Sequence, residues 1–142
     1  MSRVLGTYWI TPTPTAIRRA WKLCGDSPRE YQLLRRHTLK LAFWSGSDDP
    51  ADHVDIDWDW IRGRERIRLG ELRIDEQING HDNVRVVFFK ANVIRPSETM
   101  PRIWLLTVFS KKRQRFGTSQ IEAWAGQREI IVDRFYDGSQ FA

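Results

Sequence analysis

Three apolar stretches follow one another in the second half of the chain: Glu71-Leu-Arg-Ile74, Val84-Arg-Val-Val-Phe-Phe89 and Trp104-Leu-Leu-Thr-Val-Phe-Ser-Lys-Lys112. Their β-branched and aromatic residues are typical of strands. Asn79-Gly80 separates the first two stretches and favours a hairpin turn, because both residues tolerate a positive φ. We therefore predict three consecutive antiparallel strands, over residues 69–78, 84–94 and 102–110.

The elements around these strands follow from local signals. Thr11-Pro-Thr-Pro14 ends an N-terminal strand, since proline lacks an amide donor. Ser27-Pro-Arg-Glu30 is typical of a capped helix start, and Gly25 ends the helix before it. The predicted elements are a strand over residues 3–10, two helices over 15–23 and 28–43, and a last helix over 118–136. Their order predicts one α+β domain spanning residues 1–142, with the helices on one face of a small antiparallel sheet.

The positive charge of the chain is concentrated in one region. Residues 1–60 hold eight Lys/Arg and eight Asp/Glu, whereas residues 62–115 hold thirteen Lys/Arg and six Asp/Glu. Such a local surplus favours a polyanionic partner such as RNA, DNA or an acidic protein. The alternative is a basic surface that only faces solvent.

Several classes of protein are disfavoured by what the sequence lacks. Cys24 is the only cysteine, so an intrachain disulfide and a cysteine-rich zinc site are excluded, and we expect Cys24 in the core. We see no signal peptide and no apolar run long enough to span a membrane, and we expect a cytoplasmic protein without a membrane partner. No P-loop or dinucleotide motif is present, and we expect no cofactor.

The basic residues at or just beyond the three strands are the candidates for chemistry. They are Arg73, Arg85, Lys111, Lys112, Arg113 and Arg115. If the strands pair as consecutive hairpins, these side chains converge near one edge or end of the sheet as an uninterrupted cationic set. Arginine binds phosphate with two donors and stabilises charge in a phosphoryl transition state, and a crowded lysine can carry a proton. Alternatively, the strand arginines only point outward and aid solubility.

These residues also carry a resemblance to a known family. Glu71-Leu-Arg-Ile, Asn83-Val-Arg-Val-Val-Phe-Phe, Ile103-Trp-Leu-Leu-Thr-Val-Phe-Ser-Lys-Lys-Arg-Gln and the polar helix that follows resemble the RelE/HigB-type toxins of bacterial toxin–antitoxin pairs, closest to their phage-derived branch. The resemblance covers residues 69 to about 135. Glu71 departs from the family, because some members have a lysine there. Phe116 lies nearest to a tyrosine that the family often has early in its last helix.

The resemblance implies a fold and an activity. The fold is a compact sheet with an N-terminal helical hairpin. The activity is metal-free cleavage of messenger RNA, usually on the ribosome, in which the 2′-hydroxyl attacks the adjacent phosphate and leaves a cyclic phosphate. The resemblance also implies inhibition of translation and neutralisation by a cognate antitoxin, which we expect to be a helix-turn-helix protein. A non-enzymatic toxin or phage protein that binds a host protein such as gyrase stays open as an alternative.

The residues expected to carry this activity are a catalytic group and an RNA-binding group. Arg73 and Arg85 are expected to clamp phosphate, and Lys111, Lys112 and Arg113 to supply charge in the transition state. RNA contacts are expected from Arg115, Phe116, Arg66 and Arg68. Phe116 can stack on a base.

An acidic segment over residues 48–59, which holds six Asp, precedes the basic strands. In residues 53–60, Val54, Ile56, Trp58 and Trp60 alternate with His53, Asp55, Asp57 and Asp59, which predicts a strand. The carboxylates suit a Mg²⁺ or Mn²⁺ site of a metal-dependent nuclease. They equally suit the solvated face of an edge strand, or an acidic strip that lies over the basic site and competes with RNA.

The remaining aromatic and histidine residues are assigned by their spacing. We predict that Trp9, Trp21, Trp104 and Trp124 lie in the core. Trp44, Trp58 and Trp60 flank loops and are either partly buried or free to stack on bases or on an antitoxin segment. His37 and His81 are predicted at the surface.

Overall fold

The computed structural model describes residues 7–45, 47–53, 55–112 and 115–141. It confirms the predicted α+β class, with two N-terminal helices, a five-stranded sheet and a C-terminal helix. The elements are β1 Trp9–Pro12, α1 Pro14–Leu23, α2 Pro28–Thr38, β2 Trp58–Trp60, β3 Leu69–Ile74, β4 Val84–Lys90, β5 Arg102–Ser110 and α3 Thr118–Phe135. The strands lie in the order β1-β5-β4-β3-β2.

The three central strands form the predicted antiparallel meander. Arg73 faces Arg85 across β3 and β4, and Arg85 faces Phe109 across β4 and β5. Both β3 and β4 end earlier than predicted, and the exposed polar residues 75–77 follow β3. The Asn79-Gly80 turn is confirmed, because both residues have a positive φ and an isolated bridge joins Ile78 to His81.

The first strand departs from the prediction of a purely antiparallel sheet. β1 pairs with β5 in parallel, so that Trp9 faces Arg102 and Pro12 faces Leu105. Its described part covers residues 9–12 rather than 3–10, and residues 1–6 lie outside the described residues. Pro12 is tolerated because β1 is an edge strand, where a missing amide donor costs little.

The prediction that all helices pack on one face of the sheet is wrong. Alternate residues of β4 belong to two separate cores, because side chains along a strand point to opposite faces. Val86 and Phe88 pack with residues of α1 and α2, whereas Val87 and Phe89 pack with residues of α3. The sheet is therefore covered by α1 and α2 on one face and by α3 on the other.

The local helix signals are largely confirmed. Ser27 caps α2 by accepting a hydrogen bond from the Glu30 amide at 3.3 Å. The α-helix ends at Thr38, and a 3-10 helix continues over Leu39–Phe43, where one α-helix was predicted.

The acidic segment forms less regular structure than its alternation predicts. Only Trp58–Trp60 forms a strand, a 3-10 turn spans Pro50–Asp52, and Val54 lies outside the described residues. Trp44 and Trp58 are buried with ring centroids 4.0 Å apart, so burial rather than base stacking explains these two tryptophans.

The burial of several single residues tests the sequence assignments. Cys24, Trp104 and Trp124 are buried, as predicted. Trp9 is 40% exposed, which contradicts its assignment to the core. His37 is only 8% exposed and contacts Glu76 Oε1 at 2.7 Å, which contradicts its assignment to the surface. Across the described ranges, no helix has the length and apolar character needed to cross a membrane.

Candidate nucleic-acid site

A cavity of about 660 Å³ lies where the end of β5 meets α1 and the start of α3. We call it the cationic cavity. Its basic side chains are Arg19, Lys111, Lys112 and Arg115, and its other lining residues are Thr15, Thr107, Phe109, Ser110, Phe116, Gly117, Ser119, Gln120, Ala123, Trp124 and Gln127. Within the part of the chain that the structure describes, no carboxylate lines the cavity. Its volume is within the range of ligand sites in proteins.

Hydrogen bonds hold both sides of the connection from β5 to α3. The Lys111 amide donates to the Asn83 carbonyl at 2.8 Å, and Ser110 Oγ donates to the Asp82 carbonyl. At the start of α3, Gln120 Oε1 accepts a hydrogen bond from the Gly117 amide at 2.9 Å. The first turn of α3 holds no acidic residue, so the positive end of the helix dipole adds to the charge of the cavity.

Aromatic rings form one wall of the cationic cavity. Phe116 meets Trp124 edge-on with ring centroids 4.9 Å apart, and Phe109 stacks on Trp124 at 5.7 Å. Lys111 Nζ lies 4.4 Å from the Phe116 ring centroid. This cation–π contact holds the ammonium group at the wall of the cavity.

The basic residues of the cavity carry charge that no acidic side chain of the described ranges neutralises. Arg19, Lys111, Lys112 and Arg115 take part in none of the salt bridges between described residues. A surface concavity with several such cations concentrates anions. These residues are therefore suited to bind phosphate.

A second charged group lies on β2, on β3, on β4 and at the residue just before β2, and we call it the carboxylate–arginine cluster. It consists of Asp57, Asp59, Glu71, Arg73 and Arg85. Arg73 contacts Asp57 Oδ1 at 3.1 Å, Glu71 Oε1 at 3.5 Å and Asp59 Oδ2 at 3.9 Å, and Arg85 Nε lies 3.6 Å from Glu71 Oε2. Three carboxylates against two arginines give a formal charge of −1, so the predicted uninterrupted cationic set is wrong at these positions.

The reason for this neutralisation is the period of the strands. Glu71 and Arg73 are two residues apart on β3 and share a face, and β2 places Asp59 opposite Glu71. Glu71 is the most enclosed member, because only 9% of its side chain is exposed. Among the described residues, neither Glu71 Oε2 nor Arg85 Nε has a hydrogen-bond partner.

The carboxylate–arginine cluster adjoins the cationic cavity through the pairing of β4 with β5. Arg85 faces Phe109 across β4 and β5, and Phe109 lines the cationic cavity. Adjacent strands lie about 4.8 Å apart. Arg85 therefore lies on the strand next to β5, at the end of the sheet where Lys111 follows β5.

Arg66 and Arg68 lie at the other end. Arg68 precedes β3 and contacts Asp48 Oδ2 at 2.6 Å, while Arg66 is exposed. Lys111 follows β5 at the end where Ile74 pairs with Val84, and six residues of β3 span roughly 17 Å. The structure does not bring Arg66 and Arg68 to the cationic cavity. Arg113 lies outside the described residues.

The acidic segment does not form the alternative metal site within the described ranges. No group of three or more His, Cys, Asp or Glu residues there is placed to hold a metal ion. Asp57 and Asp59 contact Arg73 instead. Acidic side chains of this segment cover Arg73, as the hypothesis of an acidic strip over a basic site expects. None of them lines the cationic cavity among the described residues.

Two residues of this region were missed as candidates in the sequence. Arg19 follows Thr15 by one helical turn, and both line the cavity, whereas Ala16 and Ala20 are buried. This spacing predicts that Thr15 and Arg19 share the exposed face of α1, but it does not predict which part of the chain that face contacts. Glu71 was seen only as a departure from a family pattern, although its spacing from Arg73 predicts a shared face.

Comparisons with known proteins do not extend this description. The chain matches no protein-family model, and no curated protein is significantly similar to it.

Proposed function

We propose that this protein is the toxin of a toxin–antitoxin pair and that it cleaves RNA without a metal ion. One observation carries the proposal: four cations without acidic partners in the described ranges line a cavity at β5, one strand away from Arg85, and Arg85 in turn contacts the enclosed carboxylate of Glu71 on β3. RNA supplies the phosphates that such cations bind, and a carboxylate beside arginines supplies a proton acceptor.

RNA binding rests on the cationic cavity. Lys111, Lys112 and Arg115 bind backbone phosphates, and the aromatic wall beside them contacts the bases. Arg113 follows Lys112 directly and adds charge to the same segment. Because such binding releases counterions, affinity falls steeply as the salt concentration rises.

The reaction follows from the neighbouring groups. The 2′-oxygen of one nucleotide bonds to phosphorus, and the bond from phosphorus to the 5′-oxygen of the next nucleotide breaks. Glu71 accepts the proton of the 2′-hydroxyl, and the ammonium group of Lys111 or Lys112 gives a proton to the leaving 5′-oxygen. Arg85 stabilises the charge on the phosphate oxygens, and Arg73 assists once RNA competes with its carboxylate partners. The products are a 2′,3′-cyclic phosphate and a 5′-hydroxyl.

The biological role rests on the resemblance of residues 69 to about 135 to RelE/HigB-type toxins. Cleavage of messenger RNA, on or off the ribosome, stops translation, and an antitoxin partner neutralises the toxin. We propose a helix-turn-helix protein as that antitoxin.

The test compares two double variants that remove the same charge from opposite ends of the sheet. Lys111→Ala with Lys112→Ala removes two cations of the cavity, and Arg62→Ala with Arg66→Ala removes two exposed cations remote from it. Purified proteins are incubated with a fluorescent RNA of mixed sequence in EDTA. We expect cleavage to cyclic phosphate by the wild type and the Arg62/Arg66 variant, and a loss of about 100-fold or more in the lysine variant.

Three results would contradict the proposal: intact RNA with the wild type, cleavage that EDTA abolishes, or equal losses in both variants. Growth of a sensitive host that expresses each variant without antitoxin provides the cellular test. Arrest of growth with intact RNA and defective DNA supercoiling would favour the non-enzymatic toxin instead.

A further inference from the structure

The cationic cavity extends beyond the groups that the proposed reaction uses. Lys111, Lys112 and Arg115 lie on the segment between β5 and α3, whereas Arg19 reaches the cavity from α1. Neither Arg85 nor Glu71 lines the cavity: Arg85 lies one strand further along the sheet, on β4, and Glu71 lies two strands further, on β3. The positive charge therefore continues away from Arg85, past Phe109, to a wall formed by a different part of the chain.

Arg19 lies on the face of α1 that lines this wall. Ala16 and Ala20 are buried, and Thr15 and Arg19, one turn apart, line the cavity. Arg18 is exposed as well, but it does not line the cavity. The neighbouring arginines thus have the same charge and different surroundings.

We propose that Arg19 and Arg115 form a second phosphate subsite, which binds the phosphate next to the one that is cleaved. This subsite rests on the proposed function, and its ligand is the backbone of single-stranded nucleic acid. One phosphate at Arg85 and the two lysines leaves Arg19 and Arg115 without an anion, and a chain that continues past Phe109 brings its next phosphate to them. Phosphate contacts carry no base information, so this subsite accepts any sequence.

Two consequences follow for the substrate. A dinucleotide has a single bridging phosphate, so it fills the reacting position and leaves the second subsite empty. A longer RNA fills both positions. Arg19 therefore contributes to the binding and cleavage of longer chains and not of dinucleotides.

The first experiment measures binding without cleavage. Its probe is a fluorescent 2′-deoxy hexanucleotide, which lacks the attacking hydroxyl, and the readout is fluorescence anisotropy at several salt concentrations. We expect Arg19→Ala to weaken binding about fivefold or more and to lower the salt slope by about 0.7. Arg18→Ala, the matched control, is expected to stay within about twofold of the wild type. Equal effects of the two variants, or no effect of either, would overturn the subsite.

The second experiment measures cleavage of a ribodinucleotide and a ribohexanucleotide. We expect Arg19→Ala to lower kcat/KM about fivefold or more for the hexanucleotide and to leave the dinucleotide unchanged. An equal loss on both substrates would place Arg19 in the reaction itself and reject the subsite. If the hexadeoxynucleotide binds through Arg19 and no RNA is cleaved, the nuclease fails and the phosphate subsite stands. If RNA is cleaved and the two arginine variants behave alike, the nuclease stands and the subsite fails.

Discussion

Lys90 and Asp48 form an ion pair that ties the acidic segment to the centre of the sheet. Lys90 Nζ lies 2.6 Å from Asp48 Oδ1 and 4.7 Å from the Trp44 ring centroid, and Lys90 is 2% exposed. Arg68 holds the other carboxylate oxygen of Asp48 at 2.6 Å. The segment before β2 is therefore anchored to β4 by the buried ammonium group of Lys90.

Removal of this anchor is expected to destabilise the protein. Asp48→Asn leaves the Lys90 ammonium buried without a negative partner, which costs about 3 kcal/mol for an enclosed pair and less here because Asp48 itself is 39% exposed. Asp55→Asn removes an equal charge from the same segment, and we expect a change within about 0.5 kcal/mol. Urea unfolding measures both. Similar free energies of unfolding for the two variants would refute the role of the anchor.

The same pair gives the stability a pH dependence. Burial by itself raises the pKa of the Asp48 carboxyl, but hydrogen bonds and charge from Lys90 and Arg68 outweigh burial and lower the pKa from its ordinary value. The contribution of a carboxyl with a lowered folded pKa is complete above the unfolded pKa of about 4 and disappears as the pH falls through the folded value. The difference in unfolding free energy between wild type and Asp48→Asn should thus shrink below about pH 4. A difference that stays constant from pH 5 to about pH 2 would be the contrary result.

A glycine in β3 makes room for an aromatic ring. Gly70 faces Phe88 on β4, and a Cβ atom at Gly70 would lie 2.3 Å from Phe88 Cζ. Because Phe88 is fully buried, we expect Gly70→Ala to cost about 1–3 kcal/mol. Gly126→Ala in α3 meets no atom within 4 Å and is expected to stabilise by about 0.5–1 kcal/mol. Thermal unfolding of both variants should therefore shift in opposite directions, and a common direction would contradict this account.

The thiol of Cys24 is expected to be unreactive in the folded protein. Burial, and then the negative charge of Glu30, raise the pKa of Cys24 to about 11. Since the thiolate is the reacting form, a disulfide reagent at about pH 8 should modify no thiol in the native protein and one thiol per chain in guanidinium chloride. Rapid modification of the native protein would show that the helix packing around Cys24 opens readily.

A substitution of Glu71 is expected to affect the chemical step and not RNA binding. Glu71→Gln keeps the shape of the side chain and removes its ability to accept a proton, so we expect cleavage to slow by roughly 10²- to 10⁴-fold. Affinity for a 2′-deoxy oligonucleotide should stay the same or rise slightly, because one negative charge is lost near the site. Asp59→Asn makes the same change at an exposed position and should leave the rate nearly unchanged. Full activity of Glu71→Gln would exclude Glu71 as the base.

Most of the local structure was predicted correctly from the sequence, because the residues that decide local structure are close to one another in the chain. The Asn79-Gly80 turn and the Ser27 cap both form as predicted. The predictions fail where the environment of a residue depends on distant parts of the chain, which a local pattern does not show. His37 reads as an isolated polar residue, yet it is buried and contacts Glu76 from 39 positions away.

The candidate site shows the same division. Lys111, Lys112, Arg115 and Phe116 were predicted together because they are neighbours in the chain, and they do line one cavity. Arg19 could not be assigned to that cavity, because α1 and the end of β5 are far apart in the sequence and meet only in the tertiary structure.

The sequence by itself determined the α+β order, the three central strands and the local concentration of positive charge, since each depends on residue type and short spacing. Only the tertiary structure decided which charges stay without partners. The pairing of β2 with β3 brought Asp57 and Asp59 to Arg73, which already shares a face of β3 with Glu71. Among the described residues, no carboxylate lines the cavity at the end of β5. The physical reason is that an ion pair requires approach within about 4 Å, and which side chains come that close depends on how strands that are separate in the chain pair with one another.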